Sequence, residues 1–221
     1  QAARIEFALA GGRINTDAID NSAGVDSSDH EVNIKILAAD AIRLGNLKEE
    51  DRNSLLAEMT DDVAAHVLRH NYDQTAALTL AEATVKQDHE ALERLMVHLE
   101  DRGVLNRELE VLPDPGDMKM RADQGQGLTR PELAVVLAWS KITLFDDLVA
   151  SDLPDDPFFE DVLKAYFPSP IDAFGEAMDA HRLKREIIAT VLANRSLDMG
   201  GPVTIFRMRE MTDTTDMAAI V

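Results

Sequence analysis

The spacing of hydrophobic residues changes character early in the chain. In Arg4-Ile-Glu-Phe-Ala-Leu-Ala10 the apolar residues Ile5, Phe7 and Leu9 alternate, the period of a strand with one buried face, and Gly11-Gly12 breaks the run. Arg13-Ile14-Asn15-Thr16 is compatible with a second short extended piece. Residues 17–29 are dense in Asp, Asn, Ser and Gly, which bond their own backbone or tolerate positive φ, and they predict a loop. Apolar residues at 32, 34, 36, 37, 41, 42 and 44 then predict a helix that Gly45-Asn46 can end.

Beyond residue 46 the pattern is helical throughout. Helices are predicted over 49–59, over 63–71 with Thr60-Asp61-Asp62 as cap and acidic first turn, over 72–88, and over 90–102 with Gly103 as the stop. Residues 111–127 hold Pro113, Pro115, Gly116, Gly125 and Gly127 and read as a long surface loop. Thr129-Arg130-Pro131-Glu132 matches a capping box with proline in the first turn, predicting a strong helix to about residue 150. Asp156-Pro157 and Ser169-Pro170 repeat the cap-then-proline device, the second helix continuing through His181 to about Leu197 before Gly200-Gly201. A last helix is expected near Pro202. The fold class is therefore mainly α, a multi-helical region (46–221) preceded by a short strand-loop-helix unit (1–45).

Composition narrows the function. Of 221 residues, 41 are Asp or Glu and 22 are Lys or Arg, a formal charge of -19 that would repel a phosphate backbone, so a general nucleic-acid binder is excluded. With no cysteine there are no disulfides, thiolate metal sites or cysteine nucleophiles. No apolar run reaches the roughly 18 residues of a membrane span and no signal peptide opens the chain, so a cytoplasmic protein without membrane partners is expected. A hydrophobic share of 45% suffices for a core. The chain opens on Gln1 and ends on Met217-Ala-Ala-Ile-Val221 without a helix stop, so it is expected to be a piece of a larger chain, truncated at its end.

Polar side chains concentrate between residues 17 and 31. A loop joining a strand to a helix is where open α/β sheets bind ligands, because helix-start N–H groups and small residues allow close approach. Asn21, Ser22, Gly24, Ser27 and Ser28 suit that role, and a capped turn without ligand is the plain alternative. Asp26, Asp29, His30 and Glu31 have metal-ligand chemistry. They match neither a twelve-residue calcium loop nor a His-Glu-x-x-His helix, so no metal is expected. His66, His70, His89, His98 and His181 carry no triad signature. The acids Asp146, Asp147, Asp152, Asp155 and Asp156 read as caps and solubilising charge. The basic run His181-Arg-Leu-Lys-Arg185 reads as a solvated face or as a partner for acids elsewhere.

Asp17-Ala-Ile-Asp-Asn21-Ser-Ala-Gly24-Val25-Asp-Ser-Ser28-Asp-His-Glu31 resembles the segment of glutamate dehydrogenases that returns the chain from the nucleotide-binding to the substrate-binding domain. Five further blocks resemble the very long bacterial NAD-specific members, in the family's order: Gly11-Gly-Arg-Ile-Asn-Thr-Asp17, Asp51-Arg-Asn-Ser-Leu-Leu-Ala-Glu-Met-Thr60, Leu128-Thr-Arg-Pro-Glu-Leu-Ala134, Ser151-Asp-Leu-Pro-Asp-Asp-Pro157 and His181-Arg-Leu-Lys-Arg-Glu-Ile-Ile-Ala-Thr190. The resemblance implies that residues 1–45 end an α/β dinucleotide-binding catalytic domain and that 46–221 form a helical C-terminal domain. It also implies oxidative deamination of L-glutamate to 2-oxoglutarate and ammonia, with NAD as cofactor, in a homo-oligomeric parent.

Aligned on Asn, Gly and Val of an Asn-Ala-Gly-Gly-Val motif, the resemblance assigns Asn21, with Ser22, Ala23 and Gly24, to the nicotinamide end of the cofactor. It assigns Ser28 to the substrate's side-chain carboxylate. Here Ser22-Ala23 stands for Ala-Gly, and Asp26-Ser-Ser-Asp-His30 for a Thr-Val-Ser-Tyr-Phe run, which leaves Ser27 a rival to Ser28. The family's catalytic lysines and aspartate lie in earlier sequence, and no Gly-x-Gly-x-x-Gly loop is present, so no catalytic residue is assigned and the piece alone is expected to be inactive. The alternative for 46–221 is a non-catalytic helical regulatory or assembly module.

Overall fold

The computed structural model describes residues 1–221, apart from the side chains of residues 217 and 218. Helices α1 (Ala2–Leu9), α2 (Asp17–Asp20) and α3 (Ser22–Arg43) are followed by α4 (Arg52–Glu58), α5 (Thr60–Thr84) and α6 (His89–Asp101). Then come α7 (Arg107–Glu110), α8 (Pro115–Asp123), α9 (Arg130–Ala150), α10 (Glu160–Tyr166), α11 (Gly175–Asp179), α12 (Lys184–Gly200), α13 (Thr204–Thr212) and α14 (Met217–Ile220). Short 3-10 turns join several of them, and no strand occurs among the described residues.

The centre is α9. It buries twelve of its 21 residues, among them Leu133, Val136, Leu137, Leu144 and Leu148, as expected of a helix enclosed on most sides. Helix α12 lies along it, burying Ile187, Ile188, Ala189, Leu192, Ala193 and Leu197, and α5 packs on both. Helix α3 lies on α5 through Ile34, Leu37 and Ala41, so one hydrophobic core runs from Ile19 to Ile220. Each buried Leu or Ile stabilises the assembly by about 1.5–3 kcal/mol.

The start of α9 follows local chemistry. Glu132 has no solvent exposure, and its Oε2 accepts from the Thr129 N–H at 2.6 Å and the Thr129 hydroxyl at 2.8 Å. Arg121 donates to the same carboxylate at 2.8 Å, tying α8 to α9. Arg130, also buried, donates to Glu82 at 2.6 Å and to the Thr75 carbonyl at 3.1 Å on α5.

Several sequence expectations are corrected. The predicted strand over 4–10 is α1. Ile5 is buried, but Phe7 and Leu9 are 52% and 54% exposed, so the alternation does not mark a buried face. A helix satisfies its own N–H and C=O groups, whereas a strand needs a neighbour, and Ala2, Ala3, Glu6 and Ala8 favour the helix. Residues 13–16 are irregular.

The predicted loop over 17–29 is α2 plus the first turns of α3. Its Ser, Asp and Gly residues mostly face solvent on a helix anchored by Ile19 and Ile34, so tertiary burial overrides their loop propensity. The strand-loop-helix unit is thus helix-turn-helix, within a fold that is mainly α.

The predicted loop over 111–127 contains α8, capped by Asp114, whose Oδ1 accepts from the Asp117 N–H at 2.8 Å, with Pro115 in the first turn. Buried Met118 and the Arg121–Glu132 pair hold it down. The two helices expected over 63–71 and 72–88 are the single α5. The helix expected through His181 is broken into a 3-10 turn, α11 and α12. Gly103 and Gly201 take positive φ (72° and 82°), ending α6 and α12 as the sequence indicates.

Candidate functional site

Asn21 is the elbow between α2 and α3, its N–H bonded to the Asp17 carbonyl. Asn71 on α5 fastens that elbow by donating to the Ile19 carbonyl at 3.0 Å and to the Ser22 hydroxyl at 2.8 Å. Asn21, Ala23, Gly24, Ser27 and Ser28 are exposed, and Ser22 is half-buried. A Cβ built on Gly24 would sit 3.0 Å from Asn21 Oδ1, so the glycine leaves room for that amide. At about 100° per residue, Asn21, Gly24 and Ser28 fall on one helical face, while Ser27 lies about 100° from Ser28.

The opposite face of α3 carries Asp26, His30 and Asn33 and borders a cleft of about 580 Å³ between α3, α5, α10 and α12. His30 is fully buried and its ring stacks on Tyr166, with centroids 4.4 Å apart and planes at 17°. The rings of His66 and His70 lie 5.6 and 5.7 Å from it. Asp26 bridges the helices, with Oδ2 2.8 Å from His70 Nδ1 and Oδ1 3.7 Å from His30 Nε2. Neither ring nitrogen of His30 has a hydrogen-bond partner.

Electrostatics follow from this packing. Burial pushes His30 down to about 4, against the pull of Asp26, so its imidazole is neutral at pH 7. Burial acts to raise Asp26, but the hydrogen bond from His70 and the nearby imidazoles outweigh it and hold the carboxylate low. Burial raises Asp29, helped by repulsion from Asp26. Burial also raises Tyr166 to about 12, and its hydroxyl accepts from the Asn33 amide at 2.8 Å. Behind the cleft-lining Asp198, Lys141 Nζ lies 2.6 Å from Asp198 Oδ1, a close ion pair outside hydrogen-bond alignment. Burial lowers the lysine and raises the aspartate.

This cluster draws on helices far apart in sequence. Its local trace is the four-residue spacing of Asp26 with His30 and of His66 with His70, each pair on one helical face. The basic run is engaged: Arg185 pairs with Asp155 and donates to the carbonyls of Val149 and Ser151, and Arg182 lies 3.9 Å from Asp40. In the acidic cluster, Asp156 caps the turn at Phe158, as expected, whereas Asp147 binds Arg102 and Arg209.

Two family comparisons meet on this architecture. Residues 125–221 match the family described as glutamate dehydrogenase, C-terminal, and residues 1–81 match bacterial NAD-glutamate dehydrogenase, catalytic domain. The chain belongs to the bacterial NAD-specific glutamate dehydrogenases, a family whose cofactor is NAD. Among curated relatives, the NAD-specific glutamate dehydrogenase of Pseudomonas aeruginosa is 47% identical over 213 residues, 96% of this chain and 13% of the relative. That of Halomonas elongata is 45% identical over 99% of the chain and 14% of the relative. That of Mycobacterium tuberculosis is 43% identical over 98% of the chain and 13% of the relative. The chain thus spans about one seventh of the length of these relatives. No helix among the described residues is long and apolar enough to cross a membrane.

Proposed function

We propose that this chain contributes the nicotinamide- and substrate-facing edge of an NAD-dependent glutamate dehydrogenase, which deaminates L-glutamate oxidatively to 2-oxoglutarate and ammonia. The observation that carries the reading is the exposed face of α3. Asn21 stands free at its start, Gly24 leaves its amide unobstructed, and Ser28 follows on the same side. An amide offers both donor and acceptor to the carboxamide of a nicotinamide, and Ser22, Ala23 and Gly24 form the small-residue floor beside it. A hydroxyl donates to a carboxylate without adding charge, which suits Ser28, and the helical register favours Ser28 over Ser27. NAD, when bound, supplies the hydride acceptor; these residues orient it.

Residues 1–45 are assigned to the end of the catalytic domain and 46–221 to a helical C-terminal domain. The packing of α12 against the cleft on the inner face of α3 supports a structural role for that domain: it holds the functional face in place. The parent is read as a cytoplasmic homo-oligomer. The test is glutamate-dependent NAD reduction by the natural-length protein. Asn21→Ala is expected to raise KM for NAD and Ser28→Ala to raise KM for glutamate, each with wild-type melting. Unchanged kinetics in both variants would overturn the assignment.

A further inference from the structure

We propose that Asp26, His30 and His70 form a binding site for one divalent transition-metal ion of the zinc class, clamping α3 to α5 behind the exposed Asn21–Ser28 face. One carboxylate oxygen of Asp26 and one ring nitrogen from each histidine all lie within 4.8 Å of one another. Two imidazoles and a carboxylate are a donor set that zinc, cobalt and ferrous iron accept, whereas calcium and magnesium favour all-oxygen shells.

A second observation, independent of the spacing, points to a ligand. His30 is fully buried, yet both its ring nitrogens lack a hydrogen-bond partner, an unfavourable arrangement when nothing compensates it. Its Nε2 is aimed at Asp26, 3.7 Å away, too far for a hydrogen bond and about the separation of two donors sharing a metal. Donors about 2.0–2.1 Å from a tetrahedral ion lie about 3.3 Å apart, so the widest pair need close by about 1.5 Å.

His70, whose side chain is 43% exposed, can supply that movement by rotation, whereas His30 is locked under Tyr166. The hydrogen bond between His70 Nδ1 and Asp26 Oδ2 is what the ion would replace, the imidazole then carrying its proton on Nε2. Asp29, Asp73, Glu186 and Asp198 line the same cleft against Arg69 and Arg195, a balance of charge that favours a cation there. Such an ion would tie the first turns of α3 to α5 through His70, which is 44 positions from Asp26 in sequence.

The test is titration of the natural-length, chelator-treated protein with Zn²⁺ against a chromophoric competitor, and with Co²⁺ followed by its visible ligand-field absorption. The expected result is one equivalent bound, a cobalt spectrum of nitrogen–oxygen ligation, and a rise in Tm on zinc addition. Asp26→Asn and His70→Gln, at partly exposed positions where the apo fold should survive, are each expected to weaken binding at least about tenfold and to abolish the Tm rise. Apo melting curves of both variants confirm that the loss is not unfolding. No saturable equivalent of either metal, or binding unchanged in both variants, would overturn the site.

Discussion

Arg121 and Glu132 meet across the α8–α9 junction, the guanidinium Nη1 lying 3.0 and 2.8 Å from the two carboxylate oxygens of a glutamate that solvent does not reach. A charge in that position is tolerable only while its partner and the Thr129 donors remain. Arg121→Met is therefore expected to destabilise the fold by about 3–5 kcal/mol, since it strands a buried carboxylate. Glu132→Gln also breaks the ion pair, while Lys119→Ala on the exposed side of α8 should cost little. Urea denaturation of the three variants checks this order.

His181 is a second buried polar link. The Leu183 N–H donates to its Nδ1 at 3.1 Å, which leaves Nε2–H to donate to the Asn33 carbonyl at 3.1 Å and selects one neutral tautomer. Burial lowers its pKa, against the pull of the Asn33 carbonyl and Asp40. A folded-state value below the unfolded 6.5 means that its contribution is complete above about pH 6.5. That contribution is lost as pH falls toward the folded value, because the unfolded chain takes the proton first. Urea midpoints measured from about pH 7.5 to about pH 5.5 should fall more steeply for the wild type than for His181→Gln.

Asp147 joins α9 to α6 and α13 by accepting from Arg102 at 2.8 and 2.9 Å and from Arg209 at 2.5 Å. Burial alone would raise its pKa, but the two guanidinium partners together hold it below the usual carboxylate range. Its contribution is present above the unfolded value of 3.8 and is lost as pH falls through the lower folded value. Asp147→Asn is expected to cost about 2 kcal/mol at pH 7, and the cost should shrink in acid melts below about pH 4.

Gly24 separates stability from binding. It is exposed and lies within α3, where Gly→Ala ordinarily adds about 0.5–1 kcal/mol. The added methyl would crowd the Asn21 amide, 3.0 Å away. Gly24→Ala is therefore expected to melt at the same or a higher temperature while raising KM for NAD several-fold in the natural-length protein. A variant with raised Tm and unaltered KM would separate Asn21 from the cofactor.

The legible parts of the fold share a physical cause. The capping box at Thr129 and Glu132, the proline in the first turn of α9 and the glycine stops at 103 and 201 act within one helical turn, so adjacent residues specify them. The candidate nicotinamide edge was legible as the string around Asn21. Its backbone reads as a loop because Ser, Asp and Gly carry the same propensity on a solvent-facing helix as in a connection. The alternation of Ile5, Phe7 and Leu9 misled because three apolar residues state a period but not which of them is buried.

By itself the sequence determined a mainly helical chain, its principal caps and stops, and its family resemblance. These properties are local or additive. Only the tertiary structure decided that Asp26 and His30 face His70, that Lys141 is buried against Asp198, and that Arg121 neutralises Glu132. Those pairings depend on how α3, α5, α8, α9 and α12 cross, which is settled by burying one shared core and is not encoded in the spacing along any single helix.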